Sequence, residues 1–134
     1  MNNEHKYSRK NSEFKYSSRS IFKLALLNKK YNIISEQSNI LDLGSSPGSW
    51  LQYSSKVSSS GTIVGIDKLP INVIMDRFMI LIKYNILNLN INNILNKQVT
   101  NPFFSFDAII SDALPNATGI KSVDYYNSYI LPTI

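Results

Sequence analysis

Three apolar runs end in the residues of this chain best placed to do chemistry. The first ends in the stretch Asp42-Leu43-Gly44-Ser45-Ser46-Pro47-Gly48-Ser49-Trp50. Gly44 and Gly48 would let the backbone pass close to a ligand, and a helix starting at Ser49 would offer free N–H groups. The second run, Thr62-Ile63-Val64-Gly65-Ile66, is closed by Asp67. Its carboxylate can accept the two hydroxyls of a ribose. The third, Phe106-Asp107-Ala108-Ile109-Ile110-Ser111, is closed by Asp112, before Pro115-Asn116. The separation of Gly44 and Asp67 is close to the roughly 20 residues expected of a ribose-binding acid. A dinucleotide site would want a G-x-G-x-x-G turn around a pyrophosphate. The turn G-S-S-P-G-S-W lacks that pattern and leaves room for a compact cofactor without phosphate, such as S-adenosylmethionine.

Each piece also has an ordinary reading. A glycine turn joins strand to helix in many α/β proteins, an acid at a strand end is often a helix cap, and a lone tryptophan is more often core than ligand contact. Together, on successive strand ends, they favour a nucleoside-type ligand, because open α/β sheets bind ligands beyond the carboxyl ends of their strands.

The elements that must position these residues are legible as an alternation. A helix is expected from Ser18 or Ser20, either of which could cap it, with Ile21, Leu24, Ala25 and Leu27 or Asn28 on one face. Lys29 and Lys30 suit its last turn. Strands are expected over 40–43, 62–66, 78–84 and 106–110. Helices are expected over 49–57, 71–77 and 86–95 and from Val123 onward, the asparagines weakening the third. Strand–helix alternation with nearly continuous apolar strands gives an α/β fold with a mostly parallel sheet.

Composition narrows the function. The chain has 134 residues and 43% hydrophobic residues, enough for one domain with a core. There is no cysteine and one histidine, His5, in a polar stretch, which argues against a zinc site, disulfides or a Ser-His-Asp triad. No apolar run is long enough to span a bilayer. Residues 1–30 hold eight cations against Glu4 and Glu13, a charge of +6 in a chain whose total is +5. Residues 1–17 read as a flexible basic arm ahead of a domain over 18–134. A basic arm beside a nearly neutral body suits a polyanion such as nucleic acid, or else is a solvated tail. The arm is interrupted by Glu4 and Glu13 and followed by no long apolar stretch, so cytoplasmic, nuclear and organellar locations, the mitochondrion included, stay open.

Four blocks resemble the FtsJ-type RNA 2′-O-methyltransferases, in that family's order and spacing. Ser18-Arg19-Ser20-Ile21-Phe22-Lys23-Leu24 is similar to its S-R-A-x-F-K-L helix. Leu41 to Gln52 is similar to its D-L-G-A-A-P-G-G-W-S-Q turn. Gly65-Ile66-Asp67-Lys68-Leu69-Pro70 is similar to its strand-two acid and L-x-P. Ser111 to Gly119 is similar to its S-D-M-A-P-N-x-[ST]-G. The resemblance implies a Rossmann-like methyltransferase fold that uses S-adenosyl-L-methionine, no metal, and an RNA substrate, ribosomal RNA or a ribosomal subunit, approached by a monomer. It implies that Gly44, Gly48 and Trp50 line the methionine and ribose side of the cofactor. Asp67 would hold the ribose hydroxyls, and Asn85 would stand where the family has an adenine-contacting acid. Lys23 and Asp112 would supply two members of a Lys-Asp-Lys-Glu catalytic group, with Asp112 also at the cofactor and Arg19 and Lys23 toward RNA. The second lysine, the glutamate and the last three strands of the family's seven fall beyond Ile134, so these 134 residues are expected to be incomplete for catalysis. A non-catalytic remnant and a small basic RNA-binding module are the competing readings. The second has no use for the D-L-G-S-S-P-G-S-W turn.

Overall fold

A computed structural model describes residues 16–76, 78–88, 90, 101 and 103–113. Helix α1 spans Ile21–Tyr31 and buries Ile21 and Leu24, with Lys29 and Lys30 in its last turn. It stops at Asn32, whose φ of 50° is left-handed and whose N–H returns to the Asn28 carbonyl. The Asn28 side chain then pins the chain that follows, accepting from Ile34 N–H at 2.7 Å and donating to Tyr53 at 3.3 Å. Ser20 occupies the N-cap position, yet its side chain makes no capping bond. This corrects the expected cap: the Ser20 hydroxyl meets those of Ser18 and Ser49 instead.

Strand β1 (Ile40–Leu43), helix α2 (Ser49–Val57), strand β2 (Ile63–Asp67), strand β3 (Met79–Lys83) and strand β4 (Ala108–Ser111) follow, with a 3-10 turn at Ile86–Asn88. The strands form one parallel sheet in the order β3-β2-β1-β4. From β1 the chain steps to β2 and β3, then returns to the other side of β1 as β4. The crevice beyond the carboxyl ends of β1 and β4 is therefore the switch point at which such sheets bind ligands.

Alternation along the strands divides the core between two faces. Ile40, Ile63, Met79 and Ile110 pack with Leu24, Ile34, Trp50 and Leu51 on the face covered by α1 and α2. Leu41, Val64 and Ile66 pack on the other face, with Leu43, Ile80, Ile82 and Phe106. Asp42 lies on the helix-covered face, in register with Gly65 of β2 and Ile110 of β4.

Several sequence expectations shift. The strands begin at Ile63 and Ala108, rather than 62 and 106, because Asn39 takes over the entry. Its side-chain oxygen accepts from Thr62 N–H, and its backbone carbonyl accepts from the N–H groups of Asp107 and Ala108. The helix expected over 71–77 is absent from the described residues 71–76. Ile71 and Val73 pack inward while Asn72 and Ile74 face out, a period of two that suits an extended segment. Of the helix expected over 86–95, residues 86–88 form the 3-10 turn, and apart from Asn90 the rest lies outside the described residues, as does the helix from Val123. Residues 1–15 of the basic arm also lie outside them. Its last two residues are held against α2, Tyr16 by Lys56 and Ser17 by Gln52.

Candidate functional site

The chain leaves β1 through Gly44, at φ 74°, and enters α2 through Gly48, at φ 115°. Both angles favour glycine, and both glycines are crowded. A Cβ on Gly44 would overlap Ala113, just past β4, and one on Gly48 would overlap Val73. The turn is thus squeezed between the end of β4 and the segment after β2. It borders an open pocket lined by Ser20, Asp42, Gly44, Ser45, Ser46, Pro47, Ser49, Trp50 and Asp112.

Asp42 forms the floor. It is 1% exposed, and its Oδ2 has no hydrogen-bond partner among the described residues. Burial first, and then the nearby carboxylates of Asp67 and Asp112, push its carboxyl up from 3.8 to about 7. An acid of this kind, poised near neutrality in a cleft, is a feature associated with functional sites. In the sequence it is readable only as part of the turn motif. The signal that singles it out is an acid inside an otherwise apolar strand, on the same face as Ile40.

Asp67 ends β2 and ties that strand to the turn. Its Oδ2 accepts from Ser46 N–H at 2.9 Å and its Oδ1 from Leu69 N–H at 2.8 Å. Each oxygen keeps a second lone pair for a ligand hydroxyl. Asp112 follows β4 and borders the pocket from the far side. Lys23, from the first turn of α1, donates to its Oδ1 at 2.5 Å across a sequence separation of 89. The same Nζ stands 5.7 Å from the centre of the Trp50 ring. Trp50 is both core and pocket wall, and its indole N–H donates to the Ser20 carbonyl at 3.0 Å.

Of the residues singled out from sequence, Gly44, Trp50 and Asp112 meet in the pocket wall and Lys23 joins them through Asp112. Gly48 and Asp67 stand just behind the wall. Asn85 follows β3, away from the lining, and its side-chain oxygen accepts from Leu87 N–H at 3.1 Å in the 3-10 turn. Arg19 is exposed at the start of α1. Among the described residues no group of three or more potential metal ligands occurs, and no helix is long and apolar enough to cross a membrane.

Comparison with known proteins agrees with the α/β fold described above. The family model described as FtsJ-like methyltransferase matches residues 16–133. The chain is 35% identical over 130 residues to ribosomal RNA large subunit methyltransferase E of Picrophilus torridus, covering 96% of this chain and 66% of that protein. It is 37% identical over 123 residues to the protein of the same name from Methanocaldococcus jannaschii, covering 90% of this chain and 50% of the relative. A crystal structure described as that of a ribosomal RNA methyltransferase from Plasmodium falciparum superposes with a TM-score of 0.73 at 32% identity, over 87% of this chain and 66% of the other. The chain thus spans between half and two thirds of the length of these relatives.

Proposed function

The chain belongs to the FtsJ-like methyltransferase family, and from that premise we propose that it serves S-adenosylmethionine-dependent methyl transfer to a ribose 2′-hydroxyl of RNA, ribosomal RNA above all. The observation that carries the proposal is the meeting of Lys23 and Asp112, far apart in sequence, at the edge of a pocket floored by a buried acid.

The pocket's chemistry suits the cofactor. The unpartnered carboxyl oxygen of Asp42 and the carboxylate of Asp112 are acceptors that a cationic amino-acid end would satisfy. Gly44, Ser45, Ser46 and Trp50 would line the rest, and Asp67 would take ribose hydroxyls. When bound, the cofactor supplies an activated methyl group on a sulfonium.

The chain's own residues orient and neutralise. The Asp112 carboxylate fixes the Lys23 ammonium at the pocket mouth, where it can meet an RNA phosphate or ribose oxygen. Lys23 is engaged as a donor to Asp112, and the role proposed for it is positioning. Arg19, Lys29 and Lys30 are exposed at the start and end of the same helix and extend the positive surface. A 2′-hydroxyl acceptor makes RNA the substrate and excludes DNA.

These 134 residues match two of the four catalytic side chains that the family resemblance implies. Calorimetry with S-adenosylhomocysteine on the protein and on Asp112→Asn tests the cofactor reading, with binding by the former and clear weakening in the latter expected. Absence of binding by the unaltered protein overturns it. In a form that does transfer label from S-adenosylmethionine to ribosomal RNA, the label should lie on ribose oxygen, and label on a base would refute the reaction proposed.

A further inference from the structure

Three serine hydroxyls close a ring beside the pocket. Ser18 and Ser20 are 2.7 Å apart, Ser18 and Ser49 2.8 Å, and Ser20 and Ser49 3.0 Å. Each hydroxyl has one proton to donate, so donation head to tail around the ring uses all three and leaves none seeking water. Ser49 is 2% exposed and is the first residue of α2, directly after Gly48. The ring therefore joins the start of α1 to the turn that forms the pocket.

The backbone of Ser20 adds a second link. Its carbonyl accepts from Lys23 N–H and from the Trp50 indole N–H, both at 3.0 Å. One residue thus touches Ser49 by its side chain and Trp50 by its carbonyl, and holds the backbone of Lys23 through that same carbonyl. A serine at a helix start ordinarily caps its own helix. Ser20 gives its hydroxyl to the other helix instead. Both partners also depart from the family strings quoted above, which have alanine at the place of Ser20 and glycine at the place of Ser49.

We propose that Ser20 and Ser49 are positioning residues, whose hydroxyl link holds α1 against the first turn of α2 and thereby sets the Lys23 ammonium over Trp50 and onto Asp112. That Lys23 serves RNA methylation rests on the function proposed above, whereas the positioning itself does not. Without the Ser20 hydroxyl, the start of α1 keeps the Ser18–Ser49 contact and the Trp50 indole bond but can pivot about them, and a displacement of about 1 Å at a reacting centre can cost roughly 100-fold in rate.

The test uses the whole 134-residue chain without cofactor. Trp50 is its only tryptophan, so the side-chain methylene next to Lys23 Nζ should resonate upfield of the other lysines, its assignment fixed by loss of the signal in Lys23→Arg. Ser20→Ala and Ser49→Ala should each return that signal to the range of the other lysines, while circular dichroism and a cooperative melt persist. Ser20→Thr, which keeps the hydroxyl, should retain the upfield shift. If Ser49→Ala fails to melt cooperatively, Ser20→Ala decides alone, since its carbonyl links remain. An unmoved Lys23 signal in the folded alanine variants overturns the proposal, and so does equal loss of the shift in Ser20→Thr. Titration of S-adenosylhomocysteine into the unaltered chain decides the cofactor reading separately.

Discussion

The substitution Asp42→Asn should change the stability of this protein by an amount that depends on pH. In the folded chain the Asp42 carboxyl sits at about 7 against an ordinary 3.8, because it is buried and faces Asp67 and Asp112. The unfolded chain loses this proton as pH rises past 3.8, while the folded chain keeps it until about 7. The unfolded state thus binds fewer protons over that window, and folding stability falls as pH rises through it. At about 1.4 kcal/mol per pH unit of difference, the loss is roughly 4 kcal/mol by pH 8. The asparagine side chain of the variant cannot ionise and escapes this loss, although its buried amide can cost about 1 to 3 kcal/mol if its donors find no partner. That cost is the same at every pH. The stability difference between variant and parent should therefore move in the variant's favour by roughly 4 kcal/mol between pH 4 and pH 8, with the variant less stable or equal at pH 4 and more stable at pH 8. Urea unfolding of both proteins at these two pH values measures it. A difference between the two proteins that stays constant with pH would refute the argument that Asp42 is a buried acid held protonated near neutrality.

Three further outcomes follow from the same geometry. Gly44→Ala places a Cβ at φ 74° and against Ala113, and should lower stability by about 2 to 4 kcal/mol in urea unfolding; an unchanged midpoint would argue against the crowding of the turn. Asp67→Asn retains an acceptor but loses the charge, and should weaken S-adenosylhomocysteine about tenfold by calorimetry, whereas equal affinity would remove Asp67 from the cofactor's contacts. Replacing Arg19 and Lys23 together by glutamine should weaken RNA binding and flatten its dependence on log salt by roughly one to two, as expected for two phosphate contacts. Fluorescence anisotropy over a potassium chloride series reads the slope, and parallel lines for the two proteins would take α1 out of the RNA surface.

Much of the architecture is legible in the sequence because the strands are short and nearly pure apolar runs. Ile40–Leu43 and Ser49–Val57 form the elements expected at those positions, and β2 and β4 start later than expected where Asn39 intercepts the first backbone groups. The segment after Pro70 reads as helix because Ile71, Val73 and Ile74 suit either period, and only the packing of Ile71 and Val73 beside Gly48 selects the extended form. Ser20 reads as a cap because local patterns name the helix start but not Ser49, a partner that lies 29 residues away. Asp42 is hidden inside a motif whose glycines are its conspicuous residues, since its altered acidity comes from burial and from acids on two other strand ends. The pairing of Lys23 with Asp112 follows from the family resemblance alone, for no local pattern joins a helix lysine to an acid at the end of β4.

Whether the crevice between the carboxyl ends of β1 and β4 is the cofactor site is decided by a crystal structure of the protein grown with S-adenosylhomocysteine. The ligand is expected in the pocket bounded by Asp42, Gly44, Ser45, Trp50 and Asp112, with its amino group on the Asp42 or Asp112 carboxyl and its ribose toward Asp67. A ligand seated elsewhere on the chain, or a pocket still empty in crystals grown with the ligand at saturating concentration, would rule that site out.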